Sequence, residues 1–184
     1  SEVVNTSRIT PKHNITISHV DAQENKVIYT ESKAFYGTRS MFEVFDIPVL
    51  IGDYKALDKP FTVAISQQAA HKYFGNKNPI GQTITVNGKE DYTVSVIYEN
   101  IPSNSIIISY FFFSMETMYH VRPGLRTQWG YDYGTTYVQL KPGTDYLAFS
   151  KKALPKMVED NYKERLDKRN QHDEFYLQPL RNIH

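Results

Sequence analysis

The chain has 184 residues and no cysteine, which is long enough to bury a core of its own and excludes a disulfide framework, a thiolate zinc centre and a cysteine nucleophile. Lys and Arg number 21 against 20 Asp and Glu, a balance that offers no single-sign field to recruit nucleic acid or an anionic membrane surface. The apolar runs 47–51 and 106–115 fall far short of the ~20 residues a membrane-spanning helix needs, and no charged segment followed by an apolar stretch opens the chain, so no export signal of its own is expected.

The first forty residues read as two or three strands, with apolar alternation at Ile15 and Ile17 and again at Val27 and Tyr29, interrupted by Thr10-Pro11 and by the polar stretch 21–25. Thr38 is placed to cap a short helix with Met41, Phe42 and Phe45 on one side, and the run 47–51 that follows predicts a buried strand. Phe61, Val63 and Ile65 predict a strand ending at Ser66. Ser66 then caps a helix that turns Ala70, Tyr73 and Phe74 inward and stops at Gly75. Asn78-Pro79-Ile80-Gly81 is a turn. Beyond it, 82–86 and 91–98 form a hairpin through Asn87-Gly88, with Tyr92, Val94, Val96 and Tyr98 expected on one face. Residues 106–113 read as a strand buried on both faces and 119–134 as a long irregular loop. Thr135–Leu140 resumes as a strand. Thr144 can cap a long helix with Leu147, Leu154, Val158 and Tyr162 on one face, which Pro155 should kink or split. Phe175-Tyr176-Leu177 predicts a last strand. No repeat, low-complexity segment or Gly/Ser-rich linker appears.

Candidate chemistry is sparse. The six histidines show no HExxH and no i, i+4 pairing. His13 and His19 are six apart on an expected strand, on one face but too distant to chelate one ion alone, so no metal site is assigned. Gly75 to Gly81 lacks the Lys-Ser/Thr of a phosphate-binding loop, and no serine stands in G-x-S-x-G, so neither a cofactor nor a nucleophile is assigned. The pairs Asp53 with Asp58 and Glu90 with Asp91 leave a glycosidase open, since its two carboxylates need only be brought about 5 to 10 Å apart. The aromatic residues Tyr110 to Phe113 read as core, whereas Trp129, Tyr131 and Tyr133 form a candidate interaction loop.

Several segments carry a resemblance that patterning does not supply. The segment from Met41 to Asp53, with Phe42, Phe45, Gly52 and Asp53, resembles the entry to the central block of MacB-like periplasmic core domains of FtsX-like ABC transporter permeases. Val63 to Ile84 is similar to the family's strand, helix, Phe74-Gly75, Asn78-Pro79-x-Gly81 and strand. Tyr92 to Asn104, with Ile101, Pro102 and Asn104, and the tail Gln178 to His184 complete it. The departures are Ser95, where a glycine is usual, Asn100 and Asn182 for frequent aspartates, and the segment Gly37 to Ser40, which is not the usual acidic approach.

The resemblance implies an α+β fold with a discontinuous, membrane-proximal Porter-like α/β subdomain, residues 1–52 and 135–184, and an inserted β-rich Sabre-like subdomain, residues 53–134. It implies a non-catalytic ectodomain on the periplasmic side of the bacterial inner membrane. Such a domain would be attached to its own transmembrane helices and transmit the motion driven by a cytoplasmic ATPase to export, or to a periplasmic adaptor or envelope protein. Two other readings stay open on the residues alone: a sensory ectodomain that binds a peptide or lipid through 119–134, and a secreted hydrolase using paired carboxylates.

Overall fold

The computed structural model describes residues 2–20, 24–127, 134–163 and 175–183. Four strands open the chain rather than two or three: β1 (Val3–Pro11), β2 (Ile15–Val20), β3 (Lys26–Glu31) and β4 (Ala34–Gly37). Thr10 and Pro11 do not interrupt β1; they end it, opposite Tyr36 and Phe35 of β4, and a proline is tolerated at such a strand end. The short helix α1 (Met41–Val44) begins after Ser40. Thr38 is not its side-chain cap, because its hydroxyl accepts instead from Arg8 N at 3.0 Å and so ties the helix entry to β1.

The following apolar run corrects a second expectation. It becomes β5 (Val49–Gly52), which is largely exposed rather than buried and, among the described strands, pairs only with the end of a later one. After a 3-10 turn over Tyr54–Asp58 come β6 (Thr62–Ser66) and α2 (Gln67–Phe74). Here local chemistry decides the structure. Ser66 Oγ accepts from Ala69 N at 3.1 Å, Gly75 takes φ +60 to stop the helix, and Ala70, Tyr73 and Phe74 are buried. Next, β7 (Thr83–Val86) and β8 (Glu90–Tyr98) form the expected hairpin, with Asn87 and Gly88 both at positive φ and Lys89 N donating to Val86 O.

The 106–113 strand contracts to β9 (Phe111–Ser114), and the region expected as a loop opens with a helix, α3 (Met115–Val121). Ser114 Oγ accepts from Glu116 N at the start of α3, so a capping serine with an acid in the first turn outweighs the apolar run. The chain ends with β10 (Thr135–Leu140), α4 (Tyr146–Asn161) and a 3-10 turn over Leu180–Asn182. Asp145, not Thr144, caps α4, accepting from Leu147 N and Ala148 N. Pro155 does not split α4, which is continuous through it. Residues 175–177 form no strand.

The ten described strands make one mixed sheet in the order β10-β1-β4-β9-β6-β8-β7-β2-β3, with β5 beside β8. The β4–β9 and β6–β8 ladders are parallel and the others antiparallel. Residues 1–52 and 53–134 therefore share hydrogen-bonded ladders, because β4 pairs β9 and β2 pairs β7.

Each face of the sheet carries its own core. The three phenylalanines of β9 alternate between them: Phe111 and Phe113 pack with α2, and Phe112 packs with Met41 and Phe42 of α1. Full burial of each ring contributes roughly 1.5–3 kcal/mol. In β8 the alternation breaks. Tyr92, Val94 and Ile97 face the α2 core, while Val96 and Tyr98 face the α1 core, so the expected single face of four residues is not formed. The cause is a bulge: Val63 pairs with Val94 but Ala64 pairs with Val96, leaving Ser95 as the extra residue that inverts the strand.

Candidate interaction surface

The residues carried by the resemblance divide between framework and surface. Phe42 is framework, stacked on Tyr54 at 5.6 Å and edge-on to Tyr98 at 5.8 Å. Phe45 meets Tyr137 of β10 at 4.8 Å and so joins α1 to the edge of the sheet. Asp53 Oδ1 accepts from Lys55 N at 2.8 Å and caps the 3-10 turn. Phe74 lies beneath the His19 ring at 4.4 Å. The turn after α2 is held by Asn78 Oδ1, which accepts from Ile80 N at 3.0 Å, by Pro79 O, which accepts from Gln82 N, and by Gly81, at φ +81, whose N donates to Val94 O.

Gly75, Ile101, Pro102 and Asn104 line two clefts, one between α2 and β5 and one on the α1 face beyond Pro48. On the α1 face, a cleft of about 650 Å³ opens between Phe45–Pro48 and the segment Ile101, Pro102, Asn104 and Ile106, with Leu180 of the C-terminal turn reaching into it. Among the described residues, its charged lining residues are Asp46 and Glu99. On the α2 face, a shallower cleft of about 700 Å³ runs between α2 and β5 past Gly75, Asn78 and Pro79. Among the described residues, its charged or basic lining residues are His71 and Lys77, with no carboxylate. Asn100 borders both clefts. Both volumes fall in the range of ligand-sized clefts, about 300–1,000 Å³. Sequence reasoning missed this arrangement because each cleft joins segments far apart in the chain, and because the exposure of Leu50 and Ile51 contradicts their hydropathy.

The side chains considered for catalysis are held in structural contacts. Asp58 pairs with Arg39 at 3.2 Å. Glu90 accepts from Lys12 and from Tyr92 OH at 3.1 Å, and Asp91 accepts from Thr85 Oγ1 at 2.7 Å. His13 lies in the β1–β2 connection rather than on a strand, while His19 Nδ1 is 3.0 Å from Thr83 O. No three His, Cys, Asp or Glu side chains converge to hold a metal ion among the described residues. Burial pushes the hydroxyls of Tyr73, Tyr92 and Tyr98 well above the ordinary tyrosine range. A hydrogen bond to Glu31 adds to this at Tyr73, and one to Tyr36 adds to it at Tyr92. These groups stay neutral across the physiological range. Trp129, Tyr131 and Tyr133, the candidate interaction loop, lie outside the described residues.

The family model of MacB-like periplasmic core domains matches residues 3–154. No curated protein matches the chain. Among solved structures, a domain of a putative permease protein from Porphyromonas gingivalis is 19% identical, with a TM-score of 0.74, over 91% of this chain and 74% of that one. The periplasmic region of MacB from Actinobacillus actinomycetemcomitans is 14% identical, with a TM-score of 0.61, over 97% and 73%. The extracellular domain of the noncanonic ABC-type transporter YknZ from Gram-positive bacteria is 13% identical, with a TM-score of 0.56, over 97% and 83%. At these identities the likeness is one of fold.

Proposed function

Because the chain belongs to the MacB-like periplasmic core domains of ABC transporter permeases, we propose that it works as a non-catalytic transmitter. In this reading it is anchored by transmembrane helices at the outer face of the bacterial inner membrane. It carries motion driven by a cytoplasmic ATPase to export, or to an adaptor or envelope partner. The observation that supports this best is the continuity of the sheet. β1 and β10 join the segments 1–52 and 135–184, which we assign to a membrane-proximal, Porter-like part. Residues 53–134 supply β6 to β9, the Sabre-like part, and the β4–β9 and β2–β7 ladders bind the two. Hinging them apart would break buried backbone hydrogen bonds, each costly to leave unmade, so a push at one edge is delivered at the other as rigid-body movement.

The test is made in the intact permease reconstituted with its ATPase. Spin labels are placed at the exposed positions Thr136 on β10, in the Porter-like part, and Thr83 on β7, in the Sabre-like part. Their separation is expected to stay constant through the nucleotide cycle while the distance of each from the bilayer changes. A separation that changes with nucleotide would overturn rigid transmission, and immobility of both labels would overturn transmission altogether.

A further inference from the structure

We propose that β5 is a strand-addition site whose occupant is an extended peptide segment of a partner protein, basic and apolar on one face and acidic or amide-bearing on the other. The proposal goes beyond the transmitter reading and stands on the geometry of one edge. Among the described strands β5 pairs β8 alone, so its outer edge carries no strand. An uncovered edge is a template for another chain, and proteins ordinarily blunt it with charge, proline or a covering element. Val49–Gly52 contains neither a charge nor a proline and leaves Leu50 and Ile51 about half exposed, at 48% and 49%; the edge it offers is four residues long, with a register shift against β8 at Leu50.

Side chains of an added strand alternate between the two faces of the sheet, so specificity comes from pockets on both sides while main-chain hydrogen bonds supply affinity. One pocket, lined by Leu50 and Ile51, flanks β5 on the α2 face, and the other opens on the α1 face at the Pro48 end of the strand. Among the described residues, the α1-face cleft presents Asp46 and Glu99 among apolar and small polar neighbours with no cation, and the α2-face cleft presents Lys77, His71 and amides with no carboxylate. Opposite charge on opposite faces selects a segment whose charges alternate with the strand period, and rejects one whose charges are mixed on each face.

The experiment uses the full chain and a labelled octapeptide with lysine and leucine at odd positions and glutamate and threonine at even ones. Two controls accompany it: a peptide of identical composition with both charges on each face, and the probe N-methylated at alternate residues, which keeps the side chains but removes main-chain donors. The probe is expected to bind, to protect the amides of Val49–Gly52 from hydrogen exchange, and to bind at least about tenfold more tightly than either control. The Asp46→Asn/Glu99→Gln protein should weaken it by a similar factor, and Asn accepts the positive φ of +48 found at Asp46. Equal binding of the controls, protection at β3 or β10 in place of β5, or no binding up to about 1 mM would overturn the proposal.

Discussion

The carbonyl oxygen of Ser95 occupies the space into which a side chain at Gly52 would project, 2.2 Å from where its Cβ would stand. Gly52 also takes φ +90, a conformation L side chains rarely adopt. The contact is made at the β8 bulge, so one glycine seats β5 against the residue that sends Val96 and Tyr98 to the α1 core. Gly52→Ala is expected to lower stability by about 3 kcal/mol, read as the urea midpoint. Gly88→Ala, at φ +66 with nothing within 4 Å, should cost about 1 kcal/mol. Equal effects would show that backbone conformation alone, and not the Ser95 contact, governs Gly52.

Gly52 and Ser95 also mark the limit of what the sequence made legible. The α2 helix and the β7–β8 hairpin were readable because their determinants are local: the Ser66 cap, the Gly75 stop and Asn87-Gly88. The face change in β8 was not, because a bulge is set by registration against β6, and nothing in Tyr92 to Tyr98 announces it. Ser95 itself is not among the positive-φ residues, which explains how a serine stands where the family resemblance suggests a glycine. The hydropathy of Leu50 and Ile51 implied burial, but position at the sheet edge decides their exposure. Phe175 to Leu177 has strand composition but pairs with none of the described strands. Of the candidate site, the resemblance supplied Phe45, Ile101, Pro102 and Asn104 one at a time; their convergence with Leu180 depends on the fold.

Glu31 is a buried carboxylate, 5% exposed, whose Oε1 accepts from Lys72 Nζ at 2.6 Å and from Tyr73 OH at 2.7 Å. It fastens β3 to α2, and Lys72 also lies over the Tyr29 ring at 4.1 Å. Glu31→Ala should cost about 2–3 kcal/mol, because Tyr73 OH loses its buried acceptor. Lys72→Met should cost about 1 kcal/mol, since its ammonium is partly solvated. Denaturant titration of both variants checks this, and a larger loss for Lys72→Met would reverse the assignment of Glu31 as the anchor.

The raised hydroxyls of Tyr73, Tyr92 and Tyr98 give stability a defined alkaline limit. Below the ordinary tyrosine value of 10.0 all three are neutral whether the chain is folded or not. Above it the unfolded chain ionises while the folded one does not, so protons are lost on unfolding and stability falls as pH rises. Urea midpoints should be level up to about pH 9 and decline beyond about pH 10. Phenolate absorbance should show these tyrosines ionising together with unfolding. Reversible ionisation in the folded state would contradict their burial.

Pro155 interrupts the hydrogen-bond pattern of α4 without ending it, since a proline has no N–H to offer the carbonyl one turn earlier, at Lys151. The helix carries no buried residue. It connects β10 to the C-terminal segment, which it meets through Leu177 N donating to Ser150 Oγ and through Tyr162 against Phe175. Pro155→Ala therefore acts on the helix and not on the sheet. Amide exchange within α4 should slow by up to about a hundredfold, as a propensity gain of about 3 kcal/mol allows, while the global urea midpoint stays within about 0.5 kcal/mol of its original value. If α4 relays motion between the membrane and the sheet, the stiffened helix should also alter coupled ATP turnover in the reconstituted permease. A shifted midpoint would instead show that α4 is part of the cooperative core, and slowed exchange with unchanged turnover would remove α4 from the path of transmission.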